Sequence, residues 1–211
     1  MKVTAISDLH GCLPNLPGGD LLIVGGDLTA RDRESEYNTF LFWLSDQEYN
    51  HKIVVAGNHD MMIFRNECYV EHPVCKNIIY LENSGFEING KFIWGSPNTM
   101  LFDGINPACT AFCVDGEEDM AKIYNQIPEK VDILVCHSPA YCILDRTRHG
   151  LNVGSRSLYD RLLEIKPRYF ICGHIHEDGG EELILKHTGV DTRCMNVSYI
   201  ENEKVMNFEI K

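Results

Sequence analysis

The sequence lacks long apolar runs, and this absence excludes one class of protein. No segment approaches the roughly 20 consecutive apolar residues that a helix needs to cross a bilayer. The segment Met1–Ile6 is too short, and too soon interrupted by charge, to be a signal peptide. We therefore expect no membrane partner and interpret this segment as the first strand.

Paired cysteine motifs are also missing. The nine cysteines are an odd number, and no two of them form a Cys-x-x-Cys pair. Structural zinc sites and disulfide-stapled secreted domains both depend on regular cysteine spacing. The pattern favours reduced thiols and predicts a cytoplasmic location.

Positive charge is scarce. The 211 residues include 19 lysines and arginines against 31 acidic residues, which gives a formal net charge of −12. Duplex nucleic acid binds to a basic face, so the charge disfavours it as a partner. A small phosphate ester remains compatible with this charge, because bound cations can supply a positive field locally.

The sequence does contain many short β-rich segments with helical segments between them. Several of the strands are nearly continuous in hydrophobicity, as expected for strands covered on both faces. The predicted helices are Glu34–Tyr49, Glu117–Gln126 and Ser155–Lys166, the last ended by Pro167. The predicted strands are Lys2–Ile6, Leu21–Val24, Lys52–Ala56, Ile78–Leu81, Lys91–Gly95, Asp132–Cys136, Arg168–Cys172, Glu182–Lys186, Arg193–Tyr199 and Val205–Ile210.

This order of elements predicts one α/β domain over residues 1–211. The first half alternates strands and helices, whereas the last three predicted strands follow one another as a meander. Two mixed sheets packed face to face, with helices outside, fit this order better than a single doubly wound sheet. The expected fold is a four-layer α/β/β/α sandwich.

Five short polar motifs each follow a predicted strand. Ligands of α/β proteins bind beyond the carboxyl ends of strands, so five such ends can converge on one crevice. Carboxylates and imidazoles together suit first-row metal ions such as Mn, Fe, Zn, Co and Ni. The motifs are Asp8-Leu9-His10, Gly25-Gly26-Asp27, Gly57-Asn58-His59-Asp60, Cys136-His137-Ser138 and Gly173-His174-Ile175-His176.

The spacing inside these motifs indicates how two ions can share the crevice. Asp8 and His10 are two residues apart, so in an extended chain their side chains face the same way. The same spacing separates His174 and His176 by roughly 6–7 Å of chain. Paired metal ions lie only about 3.5–4 Å apart, so those two imidazoles can serve neighbouring ions. The carboxylate of Asp27 can bridge both ions.

As an ordered set, the motifs resemble those of the calcineurin-like metallophosphoesterase superfamily. They extend from Ile6 to Glu177, which is most of the chain. Known members of its small MPPED-type branch, the metallophosphoesterase-domain-containing proteins, hydrolyse phosphodiesters that include cyclic nucleotides. The segments that look like this branch are Gly26–Thr29, Lys52–His59, Trp94–Pro97 and Gly173–Glu177.

The resemblance implies two divalent metal ions per chain, with Mn²⁺ expected and Fe, Zn, Co or Ni as alternatives. It also implies that a hydroxide bridging the ions attacks the phosphorus without a covalent phosphoenzyme. His59 would face the phosphate as a proton donor or charge stabiliser, with Asp60 orienting its ring. The implied ligands are Asp8, His10, Asp27 and His176 for one ion, and Asp27, Asn58, His137 and His174 for the other.

Substrate contacts are expected from loops beside the metals as well as from Asn58 and His59. Asn98 is expected to line the pocket. The segment Ser138–Ser155 is rich in arginine and follows the fourth motif, so we interpret it as a substrate-binding loop, with an ordinary solvated loop as the alternative. The candidate contacts in this loop are Arg146 and His149, and Arg31 is a weaker candidate.

The leading interpretation is a dinuclear phosphodiesterase that acts on small esters such as cyclic nucleotides. A phosphomonoesterase or a protein phosphatase is an alternative, although the chain is short for the latter. A nuclease is disfavoured by the net charge of −12. The alternative of a different class is a non-catalytic scaffold, the role of one retromer subunit with this fold. A scaffold would need lost ligands or an exposed apolar patch, and all implied ligand positions are filled here.

Overall fold

The computed structural model describes residues 1–70, 77–102 and 107–211. The helices are α1 (Glu34–Asp46), α2 (Met61–Phe64), α3 (Gly116–Tyr124) and α4 (Arg156–Ile165), with a 3-10 helix over His176–Asp178. The strands are β1 (Lys2–Ile6), β2 (Gly19–Gly25), β3 (Tyr49–Val55), β4 (Ile78–Tyr80), β5 (Ser84–Ile88), β6 (Lys91–Ser96), β7 (Thr99–Met100), β8 (Cys113–Val114), β9 (Ile133–Cys136), β10 (Tyr169–Cys172), β11 (Glu182–Leu185), β12 (Thr192–Asn196) and β13 (Met206–Glu209).

Two mixed sheets form the centre of the molecule. The first has the strand order β13-β1-β2-β3-β4, in which β1 to β4 are parallel and β13 is antiparallel. The second has the order β11-β12-β10-β9-β6-β5, with an antiparallel strand at each edge. Strands β7 and β8 form a small separate pair.

Three apolar layers hold the sheets and helices together. Successive side chains of β2 point to opposite faces, so Leu21 and Ile23 pack between the sheets while Leu22 contacts the α1 side. On α1, Phe40 belongs to that outer layer. On the far side of the second sheet, Leu158 and Leu162 of α4 pack against β9 and β10, which share their apolar cluster. The predicted four-layer α/β/β/α sandwich is confirmed.

Several predicted elements differ from the structure. Helix α1 ends at Asp46 rather than Tyr49, because Tyr49 begins β3. The predicted C-terminal meander is wrong. Strands β11 and β12 pair in the second sheet, but β13 crosses to the first sheet and pairs with β1, with Lys2 opposite Glu209. Elements β5, β7, β8 and α2 were not predicted, since their short or partly exposed segments carry weak periodic signals.

The fold aligns the ends of the strands that precede the motifs. β1, β2 and β3 are mutually parallel in one sheet, and β9 and β10 are parallel in the other. At this edge the sheets are tied by the Ser7 N–H, which donates to the Val197 carbonyl at 2.9 Å. All five motifs therefore reach the same edge of the sandwich.

The described part of the chain has short helices and free cysteines. The longest of its helices, α1, has 13 residues, and no helix there is long and apolar enough to cross a membrane. Its eight cysteines are free, and three of them, Cys136, Cys172 and Cys194, are buried.

Candidate metal centre

The backbone at the motifs is turned, not extended. Asp8, His10, Asp27 and His174 have φ angles of 51°, 42°, 53° and 66°, in the left-handed region that side chains other than glycine rarely adopt. The prediction that an extended chain aligns each motif pair is therefore wrong. Such backbone costs on the order of 1–3 kcal/mol per residue and persists where surrounding contacts impose it, often at active sites. Here it turns the side chains into the crevice.

One donor group is formed by Asp8, His10 and His176. The Asp8 carboxylate is buried, and its Oδ1 lies 3.2 Å from His176 Nε2. His176 Nε2 lies 3.3 Å from His10 Nε2. The Asp8 carboxylate also accepts hydrogen bonds from Ser7 Oγ at 2.5 Å and from the His174 N–H at 3.0 Å. Nitrogen and oxygen donors are thus directed to one point by fixed hydrogen bonds.

A second donor group is formed by Asp27, His137, His174 and Asn58. Asn58 Oδ1 lies 3.1 Å from His137 Nε2, and Asn58 Nδ2 donates to the Cys109 carbonyl, which directs Oδ1 inward. His137 Nδ1 lies 2.8 Å from the Gly25 carbonyl and donates to it, which leaves Nε2 as the inward nitrogen.

Asp27 lies between the two groups. Its Oδ1 is 3.4 Å from His137 Nε2, and its Oδ2 is 3.8 Å from His10 Nε2. The Oδ2 atom is also 4.0 Å from His59 Nε2, while Oδ1 accepts a hydrogen bond from the His59 N–H at 2.9 Å. The structure therefore brings all seven predicted ligands together, with the Asp27 carboxylate between the two donor groups.

The glycines of the motifs make this close approach possible. A Cβ at Gly57 would collide with Asp27 Oδ1 and with the His137 ring. A Cβ at Gly173 would collide with Ser7 Oγ and Asp8 Oδ2. These positions accept only glycine while the two donor groups keep their geometry.

The electrostatics of the protein groups favour positive charge at the centre. Burial lowers the pKa of His137, but Asp27 and then Asp8 more than offset this and raise it to about 10. Burial raises the pKa of Asp27, but His137, followed by His59 and His10, holds it below its usual range. For His174, burial and the nearby His137 lower the pKa to about 4. The two buried carboxylates, Asp8 and Asp27, thus favour positive charge beside them, and the donor set fits divalent metal ions.

Asp60 has a different role from the predicted one. Burial and then the charge of Asp27 raise its pKa to about 7. The His59 ring is not among its described partners, so the prediction that Asp60 orients this ring is wrong. Instead, Asp60 joins the loops that follow β2 and β3. The donors to its carboxylate are the backbone N–H groups of Asp27 at 3.0 Å, Leu28 at 3.1 Å and Gly57 at 2.8 Å, and the Tyr37 hydroxyl at 3.3 Å.

The substitution Asp60→Asn is expected to weaken metal binding by about 10- to 100-fold, the usual effect of removing a group that orients metal ligands. An asparagine amide would direct N–H groups at backbone N–H groups, and this would displace the Asp27 loop. Isothermal titration calorimetry with Mn²⁺ measures the change in metal affinity. Tyr37→Phe removes a single donor to Asp60 and should have a smaller effect. Equal affinities of Asp60→Asn and the unmodified chain would contradict this role.

The predicted substrate contacts are only partly placed at the site. Asn98 is buried and occupied, because its Nδ2 donates to the Phe112 carbonyl and its Oδ1 accepts from Asn83 Nδ2. It is not part of the described lining of the cavity below, so its role as a substrate contact stays a prediction. Arg31 is exposed and does not line the cavity either.

A cavity of about 350 Å³ adjoins the second donor group at Asn58 and His174. The predicted substrate loop does reach it, through Thr147, Arg148 and Val153. Arg146 and His149, the two residues predicted from this loop, are exposed and lie outside its lining. The other lining residues are Thr99, Met100, Leu101, Phe102, Cys109, Cys113, Ile175 and Glu177.

Comparison with known proteins agrees with this geometry. The family described as calcineurin-like phosphoesterase matches residues 1–178, which include all five motifs. The chain belongs to this family. It is therefore a metal-dependent phosphoesterase, a hydrolase whose family uses a dinuclear site for divalent metal ions.

Similarity to individual relatives places the chain in the MPPED-type branch. The chain covers a different share of the length of each relative. Metallophosphoesterase domain-containing protein 1 of Homo sapiens is 30% identical over 224 residues, covering 94% of this chain and 67% of that protein. A "Probable rhamnogalacturonate lyase C" of Emericella nidulans is 32% identical over 199 residues, covering 87% of this chain but only 18% of that protein. The crystal structure of TT1561 of Thermus thermophilus shares the fold, with a TM-score of 0.65 at 16% identity over 100% of this chain and 99% of that one.

Proposed function

We propose that this phosphoesterase is a phosphodiesterase that hydrolyses small diesters, with cyclic nucleotides among its candidate substrates. The observation that carries the proposal is the position of Asp27, whose two carboxylate oxygens face separate groups of metal donors. A carboxylate between two such groups is the arrangement of a two-metal hydrolytic site.

The proposed ligands follow the two donor groups. Ions bound there would lower the pKa of a water molecule and neutralise charge on the phosphate. We propose Mn²⁺ as the native metal, with Fe, Zn, Co and Ni as alternatives that the same donors accept. The residues that would hold one ion are Asp8, His10, Asp27 and His176, and those that would hold the other are Asp27, Asn58, His137 and His174.

We propose that His59 serves the substrate rather than a metal, although it forms one of the possible donor groups with His10 and Asp27. Its side chain is 26% exposed, whereas that of His137 is fully buried. Its ring packs edge-to-face on His10 with 4.7 Å between ring centroids, and its backbone N–H donates to Asp27. These contacts fix an imidazole at the open side of the cluster, where it can donate a proton to the leaving oxygen.

The cavity beside the donor groups favours a diester over a monoester, because only a diester has a second ester substituent to place there. The two charged residues of its described lining, Arg148 and Glu177, neutralise each other, with Arg148 Nε 3.2 Å from Glu177 Oε1. A monoester has a single ester substituent, so it would leave either this cavity or the His59 side of the centre unfilled. Phosphomonoesterase or protein phosphatase activity is the alternative.

A reducing, cytoplasmic location and a small ester partner are part of the proposal. Free thiols without paired spacing are typical of reducing compartments. The net charge of −12 opposes binding of duplex nucleic acid.

The proposal is tested with protein stripped of metal and reconstituted with Mn²⁺, Co²⁺, Ni²⁺ or Zn²⁺. We expect about two equivalents of metal per chain and hydrolysis of bis(p-nitrophenyl) phosphate at a higher kcat/KM than p-nitrophenyl phosphate. A chelator should abolish both activities. A preference for the monoester would support the alternative enzyme. No turnover with any metal, together with far fewer than two equivalents bound, would support a scaffold.

A further inference from the structure

The cavity beside the metal centre is connected to one side of it only. Asn58 and His174 of the second donor group form part of its lining, whereas His10 and His59 do not. A phosphate held at the metals can therefore extend one ester substituent into the cavity while the other faces His59.

The walls of the cavity are mainly apolar. Side chains of Met100, Leu101, Phe102, Val153 and Ile175 line it. Its volume of about 350 Å³ lies at the small end of the range for ligand pockets, roughly 300–1,000 Å³. Space of this size and lining suits an aromatic ring or a group of similar bulk.

The polar lining groups are already engaged. Thr99 Oγ1 lies 3.3 Å from Cys113 Sγ, and Thr147 Oγ1 donates to the Leu151 carbonyl at 3.3 Å. Arg148 contacts Glu177 and also Glu201, with its terminal nitrogen 3.5 Å from Glu201 Oε1. In the lining that the structure describes, the arginine is thus paired with two carboxylates and the two threonine hydroxyls are already bonded, so the mainly apolar wall is its dominant feature.

We propose that this cavity binds the ester substituent that stays on the phosphate after hydrolysis, and that it selects an uncharged, apolar or aromatic substituent. The inference rests on the proposed diesterase function. The retained substituent is the one assigned, because His59 would protonate the leaving oxygen and lies outside the cavity lining. For a nucleotide substrate, the base would be held by apolar contact, so exchange of one base for another would change the rate little.

The test uses diesters with a constant p-nitrophenyl leaving group and a retained methyl, phenyl or 4-carboxyphenyl group. Burial of the ring should raise kcat/KM about tenfold from methyl to phenyl, by the transfer free energy of apolar surface. The carboxylate should remove this gain, because the described lining offers it no free cation.

Two substitutions in the wall test the location. Val153→Trp fills the cavity, and Leu101→Glu adds a charge at a residue that is already 39% exposed, where misfolding is not expected. Both should lower the phenyl-to-methyl ratio of kcat/KM from about ten towards one. Leu151→Trp is the matched control, since Leu151 is 63% exposed on the same loop and lies outside the lining. The phenyl-to-methyl ratio of kcat/KM for Leu151→Trp should equal that of the unmodified chain.

The outcomes separate the two proposals. Hydrolysis of all three diesters with equal kcat/KM, or a ratio that neither wall substitution changes, would overturn the cavity assignment and leave the diesterase function standing. Absence of hydrolysis of every diester would overturn the diesterase function, and the cavity assignment with it.

Discussion

Asp27→Asn is expected to lower kcat/KM for a diester by on the order of a thousandfold or more. When residues act as one catalytic unit, the loss of any one of them removes most of the activity. The Asp27 carboxylate contacts His10, His59 and His137 through both of its oxygens. An amide offers one oxygen in place of two and no negative charge. It cannot bridge two donor groups, so we expect one metal equivalent to be lost along with the activity.

Metal analysis after reconstitution, combined with the diesterase assay, measures both effects. Asp160→Asn is the matched control, because it makes the same chemical change at an exposed position of α4. It should keep both metal equivalents and full activity. If Asp27→Asn kept two equivalents and more than a tenth of the activity, the bridging assignment would be wrong.

His59→Ala is expected to slow hydrolysis by about 100- to 10,000-fold when the leaving group is an alkoxide, the usual contribution of a general acid. The loss should be much smaller for p-nitrophenolate, which leaves readily without a proton. Metal content should stay at two equivalents, since His59 is not among the seven proposed ligands. This combination distinguishes a proton donor from a metal ligand.

The experiment compares a 3′,5′-cyclic nucleotide, whose leaving group is a ribose hydroxyl, with bis(p-nitrophenyl) phosphate. His51→Ala provides the control, because His51 lies within β3 and outside the metal-donor groups. Equal losses for the two substrates in His59→Ala would exclude the proton-donor role. Loss of metal in the same protein would instead make His59 a ligand.

The metal donors could be predicted from the sequence because the residue types alone show which side chains can bind a metal ion. Aspartate, asparagine and histidine at the ends of apolar strands have few purely structural explanations when five motifs coincide. The role of Asp60, which the family resemblance implied, was not confirmed in the same way. Three of its four donors come from two distant parts of the fold, the loop after β2 and Tyr37 of α1, and only the Gly57 N–H is local. Only the tertiary structure brings the three distant donors to one carboxylate.

The cavity could not be predicted for a related reason. Met100, Leu101 and Phe102 form part of its wall, but apolar residues in a sequence look the same whether they line a ligand site or a core. Arg146 and His149 of the nearby loop were predicted as substrate contacts because of their charge and chemistry, but both side chains are exposed to solvent. Likewise, the alternation in β13 indicated a strand but not its partner, because pairing depends on contacts about 200 residues away in sequence.

The pairing of β13 with β1 also affects the order in which the protein is assembled during translation. β1, which leads directly to Asp8, is synthesised long before one of its two neighbouring strands, Met206–Glu209. Until that strand is synthesised, β1 presents an open edge, the kind of surface to which other chains attach.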